Sequence, residues 1–489
     1  MQLLLDALLR NARDRADAEA FTDDTTALTH GEVAVRVAAL VARLAPEHRA
    51  LGLLAPNGVA WAVAQLACAC AGRTLVPLPT FFSAVQRDHV IRDASIDCIL
   101  ATPDLIERAA GHGVAVQTLD IDARADLQPE AAGRFAQVIY TSGSTGAPKG
   151  VRHGPRQLGW MTRALAQTVE ARPEDRYLSV LPLPLLLETL CAIFIPTLVG
   201  ARVRFETGLP ERIGTGRLSG LAEVFDRHRP TMSVLVPQVL AAWVGELEAM
   251  SAQAPASLRF VAVGGAPVPS TLADRAWRAG IPACEGYGLS ECGSVVAVNV
   301  PGRRRTASVG RPLPGITVSV ADGEVLVEGP TLMDGYLGGE RPAGPWRTGD
   351  MGSLDAGGFL HIHGRRDNLI VLTSGRNVSP EWIETVLLGD PDIAACGIAG
   401  HGLDGLTAVL IPTSAGERRF AASDPEDLRA FVRARCADLP VHAIPGRCLL
   451  VSREAAFASG LLTANGRIAR KVLASLVLRD ATPADALDA

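Results

Sequence analysis

At 489 residues the chain exceeds what one hydrophobic core holds and implies about two to four domains. Hydrophobic residues at 48% against charged residues at 20% describe a packed globular protein and exclude a disordered one. A net charge of -5 without a long basic run, and only 4% aromatic residues, argue against a nucleic-acid partner. Nine cysteines without a CxxC pair fit neither a zinc ribbon nor a redox motif, so reduced thiols of a cytoplasmic enzyme are expected.

The opening Met1–Asp6 stretch lacks a basic n-region, and Asp6 and Arg10 interrupt its apolar run, which predicts an amphipathic helix and no signal peptide. Phe21 to Leu28 predicts a hairpin and Gly31 to Leu44 an amphipathic helix. Strand-like Leu51–Pro56 and Arg73–Pro77 bracket a helix over Ala60–Ala71, a βαβ rhythm that implies a mostly parallel sheet buried on both faces. Ligands on such sheets sit at the carboxyl ends of strands. Leu178 to Val203 is apolar enough to consider as a membrane span. Prolines 182, 184 and 196 with Glu188 and Arg202 predict buried helix instead, and no integral membrane span is expected.

The most informative stretch is Tyr140-Thr-Ser-Gly-Ser-Thr-Gly-Ala-Pro-Lys-Gly150, which follows the strand-like Phe135–Ile139. Glycines at 143, 146 and 150, hydroxyls at Thr141, Ser142, Ser144 and Thr145, and the charge of Lys149 make a cradle for a polyanion such as a nucleotide triphosphate. It is not a Walker loop, because Pro148 precedes the lysine and Gly150 follows it. Strands at Tyr177–Leu181, Thr231–Val236 and Phe260–Val263 come next. The last runs into Gly264-Gly-Ala-Pro267, where a flat ligand can approach the backbone. In Glu285-Gly-Tyr-Gly-Leu-Ser-Glu-Cys292, Tyr287 can lie against a base and Glu291 can bind Mg²⁺. From Gly302 short alternating segments, Thr317–Val320 and Glu324–Val327 among them, predict a β-rich subdomain over about 302–366. Asp350 can accept the hydrogen bonds of a ribose diol. Beyond Arg366, Ser379 is expected to cap a helix whose first residue is Pro380, and residues 367–489 to form a small α+β domain. Glu417–Arg419 and Asp424–Asp427 are expected as solvated loop.

These segments, together with Arg347-Thr-Gly-Asp350 and Gly364-Arg-Arg-Asp367, resemble the AMP-forming acyl ligases in order and approximate spacing over nearly the whole chain. That superfamily holds acyl- and aryl-CoA synthetases, carrier-protein ligases, adenylation domains and luciferases. The resemblance implies an α/β fold: a large N-terminal domain, residues 1–366, of mostly parallel sheets with flanking helices, and a small mobile C-terminal one. It implies that a carboxylic acid attacks the α-phosphate of ATP, with Mg²⁺, and that CoA or the phosphopantetheine of an acyl-carrier protein takes the acyl group. Carried over residue by residue, Thr141, Ser142, Gly143, Ser144, Thr145, Gly146 and Lys149 hold phosphates; Gly264, Gly265, Ala266, Glu285, Gly286 and Tyr287 border the adenine. Ser290 stands by the reacting phosphate, Glu291 takes the metal, and Asp350 and Arg365 take the ribose. Asp367 is the hinge and Gly375 lines the thiol tunnel. Leu185, Leu186, Val236, Gly264 and Gly288 are expected to wall a pocket for a hydrophobic fatty or simple aromatic acid. The chain departs from the pattern in placing Arg467 where the family has a catalytic lysine. Either Arg467 substitutes, or Lys471 one turn on does, or adenylation is slow, as in a member that binds nucleotide with weak turnover.

Overall fold

The strand signals assemble into two large sheets and a smaller one before residue 366, in a computed structural model that describes residues 1–126, 134–141, 148–214, 218–463 and 468–481. The seven-stranded sheet has Ala50–Leu54 at its centre, flanked in parallel by Thr74–Pro77 and Cys98–Ala101. Small and β-branched residues fill these strands, and every residue of Cys98–Ala101 is buried, as expected for a sheet covered on both faces. The helix Val59–Cys70 that crosses between two of them is almost wholly buried, which its run of alanines permits.

The nine-stranded sheet places Met232–Leu235 between Arg176–Ser179 and Phe260–Val263, all parallel. The predicted hairpin forms as Glu19–Thr22 and Ala27–Thr29. It leaves the sheet of its sequence neighbours and joins the edge of this one, pairing Phe21 with Val203 in parallel and packing the Phe21 ring on Phe205 at 5.8 Å. Local propensity sets the hairpin; only the long-range burial of Phe21 selects its sheet. Four antiparallel strands, Thr317–Ala321, Glu324–Glu328, Trp346–Leu354 and Leu360–Arg365, form the β-rich unit. Two further buried clusters, built on residues such as Ile383 and Leu410, and Val409 and Leu473, lie beyond Ile370 and are separate from the main core.

The apolar stretch is broken helix rather than a span. It runs as Leu186–Thr189, a wider π turn over Leu190–Phe194, and Ile195–Val199, ending at Gly200 with φ of 80°. No helix among the described residues is long and apolar enough to cross a membrane. Two segments expected as loop are helical. Asp424 caps the helix Pro425–Arg435 by accepting from the amides of Glu426 and Asp427. Glu417–Arg419 lies within the helix Ser414–Phe420, and the Arg419 guanidinium covers the Phe420 and Phe431 rings while pairing with Asp392. Ser379 does occupy the cap position before Pro380, yet its hydroxyl caps nothing. It donates instead to the His363 carbonyl at 2.7 Å, tying this helix to the last strand of the β-rich unit.

Glu188 is buried in the broken helix and accepts from the hydroxyls of Tyr177 at 3.0 Å and Ser179 at 2.6 Å. Burial outweighs these bonds and pushes its carboxyl up to about 8, so it carries a proton at neutral pH. With the folded pKa above the unfolded one, its stabilising contribution is complete below the ordinary carboxylate range and is lost as pH rises through about 8. Glu188→Gln keeps the shape and removes the titration. Its Tm relative to wild type is therefore expected to rise between about pH 6 and about pH 9, and thermal unfolding at both values checks this.

Candidate functional site

Two paired strands flank the glycine-rich run. Strand Ala136–Thr141 enters it and Lys149–His153 returns antiparallel, with Thr141 directly opposite Lys149. Ser142, Gly143, Ser144, Thr145 and Gly146 lie outside the described residues. Both ends of the hairpin are braced by one face of the helix Ala84–Asp93. The Tyr140 hydroxyl donates to Asp93 at 2.6 Å, and His89 Nε2 donates to the Pro148 carbonyl at 3.1 Å. Lys149 is left exposed, with its Nζ 5.6 Å from the centre of the Tyr336 ring.

Gly264 follows the buried strand Phe260–Val263, and a side chain there would come within 3.1 Å of the Gly286 carbonyl oxygen. That approach seals two neighbouring strand ends together. Gly265, at φ of 82°, and Ala266 are then exposed beside them. Glu285 is buried, and its carboxylate is taken up by Arg304 at 2.8 and 3.1 Å and by Asn299 at 3.1 Å. It braces the strand that carries Gly286 and Tyr287. The Tyr287 hydroxyl donates to Asp350 at 2.6 Å, and Arg365, paired with Asp350 across adjacent strands, reaches the other oxygen at 3.3 Å. Burial raises the Asp350 pKa, with Tyr287 and Arg365 pulling it back. The structure thus gathers Tyr287, Asp350 and Arg365, residues far apart in the chain, into one polar cluster.

Ser290 and Glu291 lie on a short turn, Ser290–Cys292. The Ser290 carbonyl accepts from His153 Nε2 at 2.7 Å; burial pushes His153 down to about 4, so the ring is neutral and that nitrogen carries the hydrogen. Glu291 accepts the Tyr336 hydroxyl on one oxygen at 2.9 Å. Among the described residues no three His, Cys, Asp or Glu side chains gather as a metal cage. A lone carboxylate with one oxygen unoccupied suits Mg²⁺, which keeps waters and takes phosphate oxygens as its remaining ligands.

Glu291, Tyr336, Trp346, Arg365 and Asp367 line a cleft of about 450 Å³. At its wall buried Glu324 accepts from Arg347, from Arg366 at 2.9 Å and from the Gly349 amide at 3.1 Å, tying the Arg347–Asp350 part of its strand to the residues before Asp367. Gly375 sits exposed at φ of 74° in the turn between Ile370–Val371 and Asn377–Val378, and Lys471 is exposed on the helix Arg470–Ala481. Neither lines the cleft. Arg467 lies outside the described residues. Next to Lys471, buried Glu384 holds Arg470 at 2.6 Å and anchors that helix.

Of the expected acid pocket, Val236 and Gly264 come together at neighbouring strand ends, where a Gly265 side chain would lie 3.9 Å from Val236. Leu185 is 42% exposed, Leu186 is buried in the core, and Gly288 packs on the backbone of Ser294. Two residues down the same sheet face from Val236 and Gly264, Val234 and Ala262 line an apolar cavity of about 50 Å³ with Tyr177, Leu187 and Cys191. The sequence points to Leu187 beside Leu185 and Leu186 as apolar wall, but not to Tyr177 or Cys191 there, nor to roles for Glu324, Arg304 and Tyr336. One available signal was composition: the chain has 47 Lys plus Arg, and only Lys149 and Lys471 are lysines.

A glycine-rich run between paired strands, the Tyr287–Asp350–Arg365 cluster and the Glu291 carboxylate stand at strand ends of an α/β fold. The chain belongs to the AMP-binding enzyme family, whose model matches residues 8–337. It is 30% identical over 475 residues to a feruloyl-CoA synthase of an Amycolatopsis species, covering 88% of this chain and 92% of that protein. A 2-succinylbenzoate–CoA ligase of Bacillus licheniformis is 29% identical over 418 residues, 80% of this chain and 83% of its own. The fold matches o-succinylbenzoate CoA synthetase from Bacillus subtilis in complex with its acyl-adenylate, with a TM-score of 0.76 at 24% identity over 96% of this chain and 97% of that one. It also matches an anthranilate CoA ligase in complex with anthranoyl-AMP, at TM-score 0.78 and 22% identity over 99% and 98% of the two chains.

Two variants separate bracing from contact. Arg304→Ala leaves Glu285 buried without its cation and is expected to destabilise by about 3 kcal/mol, read as a fall in Tm. Asp350→Asn is expected to keep Tm near wild type and to weaken ATP binding about tenfold, read by titration calorimetry.

Proposed function

We propose that the protein is an AMP-forming ligase that joins an aromatic carboxylic acid to CoA. The observation that carries this reading is the Tyr287–Asp350–Arg365 cluster, whose Arg365 lines the same cleft as Glu291, in a chain aligned over most of its length with a feruloyl-CoA synthase. The acid's carboxylate attacks the α-phosphate of ATP, forming the acyl–O–phosphorus bond and releasing pyrophosphate. The CoA thiolate then attacks the acyl carbon, and AMP leaves with the bridging oxygen. Lys149 and the loop hydroxyls neutralise the pyrophosphate as it departs, and Asp350 with Arg365 fixes the ribose so that the α-phosphate is presented in line. Mg²⁺ held by Glu291 would supply charge neutralisation at the phosphates; a Bacillus subtilis o-succinylbenzoate CoA synthetase structure holds ATP and magnesium ion. Val236, Gly264 and the apolar surface below them receive the body of the acid.

Asp367 is the hinge about which residues 367–489 turn between the two steps, bringing Gly375 to the thiol path. The C-terminal cation is Lys471 in this reading. A chain that otherwise uses arginine keeps a compact, strongly hydrated ammonium only at Lys149 and here.

A panel of aromatic, fatty and dicarboxylic acids assayed for pyrophosphate release, with CoA and with a phosphopantetheinylated carrier, tests the assignment. Aromatic acids with CoA are expected to give the highest kcat/KM; preference for fatty acids or for the carrier overturns that part, and no release with any acid leaves a nucleotide binder. Lys471→Ala is expected to lower ATP–pyrophosphate exchange at least about 100-fold and Arg467→Ala about tenfold or less. The reverse order would move the role to Arg467.

A further inference from the structure

We infer that Tyr336 is a positioning residue that holds the phosphate-binding cation and the metal-binding anion apart and ready, an inference that rests on the nucleotide reading above. Tyr336 lies on the two-residue strand Gly335–Tyr336, paired antiparallel to the strand that begins at Lys149, with Tyr336 opposite Val151. Its backbone is locked from both sides. Leu337 donates to the Gly150 carbonyl at 2.9 Å and Asp334 to the Arg152 carbonyl at 2.8 Å. The backbone of Tyr336 is therefore fixed relative to that of Lys149 by the sheet itself. Its hydroxyl donates to Glu291 Oε1 at 2.9 Å, while Lys149 Nζ stands 5.6 Å from the ring centre, within cation–π range. Glu291 is fixed independently, since its carbonyl accepts the Met333 amide at 2.9 Å, two residues before Gly335.

Lys149 and Glu291 touch the same side chain, yet neither forms an ion pair with any described residue. A direct pair between them would neutralise both charges that a metal–triphosphate ligand needs. Tyr336 prevents this by giving each a weaker, neutral partner. The ring face attracts the ammonium without a counter-charge, and the hydroxyl occupies one carboxylate oxygen and leaves the second for the metal.

The test is a Mn²⁺ titration of the ATP-bound full-length protein followed by electron paramagnetic resonance, alongside metal-free ATP binding by calorimetry. Tyr336→Phe keeps the ring and loses the hydroxyl; Mn²⁺ affinity is expected to fall about tenfold while metal-free ATP affinity changes less than about twofold. Tyr336→Leu is expected to lose metal-free ATP affinity as well, by about threefold or more. In a Glu291→Gln background Tyr336→Phe is expected to add nothing. Wild-type Mn²⁺ affinity in Tyr336→Phe, or the same loss in the Glu291→Gln background, overturns the inference. Should Tyr336→Phe fold poorly, Glu291→Asp draws the carboxylate out of the hydroxyl's reach with its charge intact; it is expected to show the same loss, and unchanged affinity there overturns the inference too. A protein that binds no ATP under any condition refutes the nucleotide reading itself, and the Tyr336 role with it; intact ATP binding with unchanged Mn²⁺ affinity refutes the Tyr336 role alone.

Discussion

A tyrosine hydroxyl donating to a carboxyl oxygen recurs wherever this structure must hold a polar group in place. The chain has four tyrosines, and each makes this bond: Tyr140 to Asp93, Tyr177 to Glu188, Tyr287 to Asp350 and Tyr336 to Glu291. Such a bond suits the task because the phenol carries an apolar body that packs and a tip that donates, and it adds no charge. A hydrogen bond to a charged acceptor stabilises by about 1.5–3 kcal/mol, enough to keep a carboxylate oriented without cancelling it as arginine would. Three of the four join segments more than forty residues apart and stand around the phosphate hairpin and the cleft.

Arginine is used where the aim is fixation. Glu285 under Arg304, Glu324 under Arg347 and Arg366, and Glu384 under Arg470 are buried acids whose oxygens are consumed by guanidinium groups. They hold strand ends and a helix start, and they leave the adjoining residues free for ligand. Glu291 gives one oxygen to a tyrosine, and no described residue binds the other. This contrast separates Glu285 from Glu291, two acids six residues apart that look alike in sequence.

Local signals carried most of the elements because they depend on near neighbours. The βαβ rhythm, the glycine-rich run after a strand and the Gln2–Asp14 helix all follow from periodicity and turn chemistry. The misread charged segments have local causes as well: Asp424-Pro-Glu-Asp427 is a complete cap whose helix begins inside it, and Arg419 is a ring cover rather than a solvated charge. The acid pocket was harder. Its wall depends on which face of a broken helix meets the sheet: Leu187 and Cys191, one turn apart, line the cavity, whereas Leu185 is exposed and Leu186 is buried in the core.

By itself the sequence determined most of the strands and helices, the glycine-rich run after a strand, the glycine turn after Phe260–Val263 and the family, because each rests on residues close together in the chain. Only tertiary structure decided that the early hairpin would leave its neighbours for the second sheet, that Glu188 would be buried and protonated, and that Tyr336 would stand against both Lys149 and Glu291. Those outcomes turn on burial and on pairing between segments far apart, and a carboxylate's role depends on which partner, tyrosine or arginine, the fold brings to it.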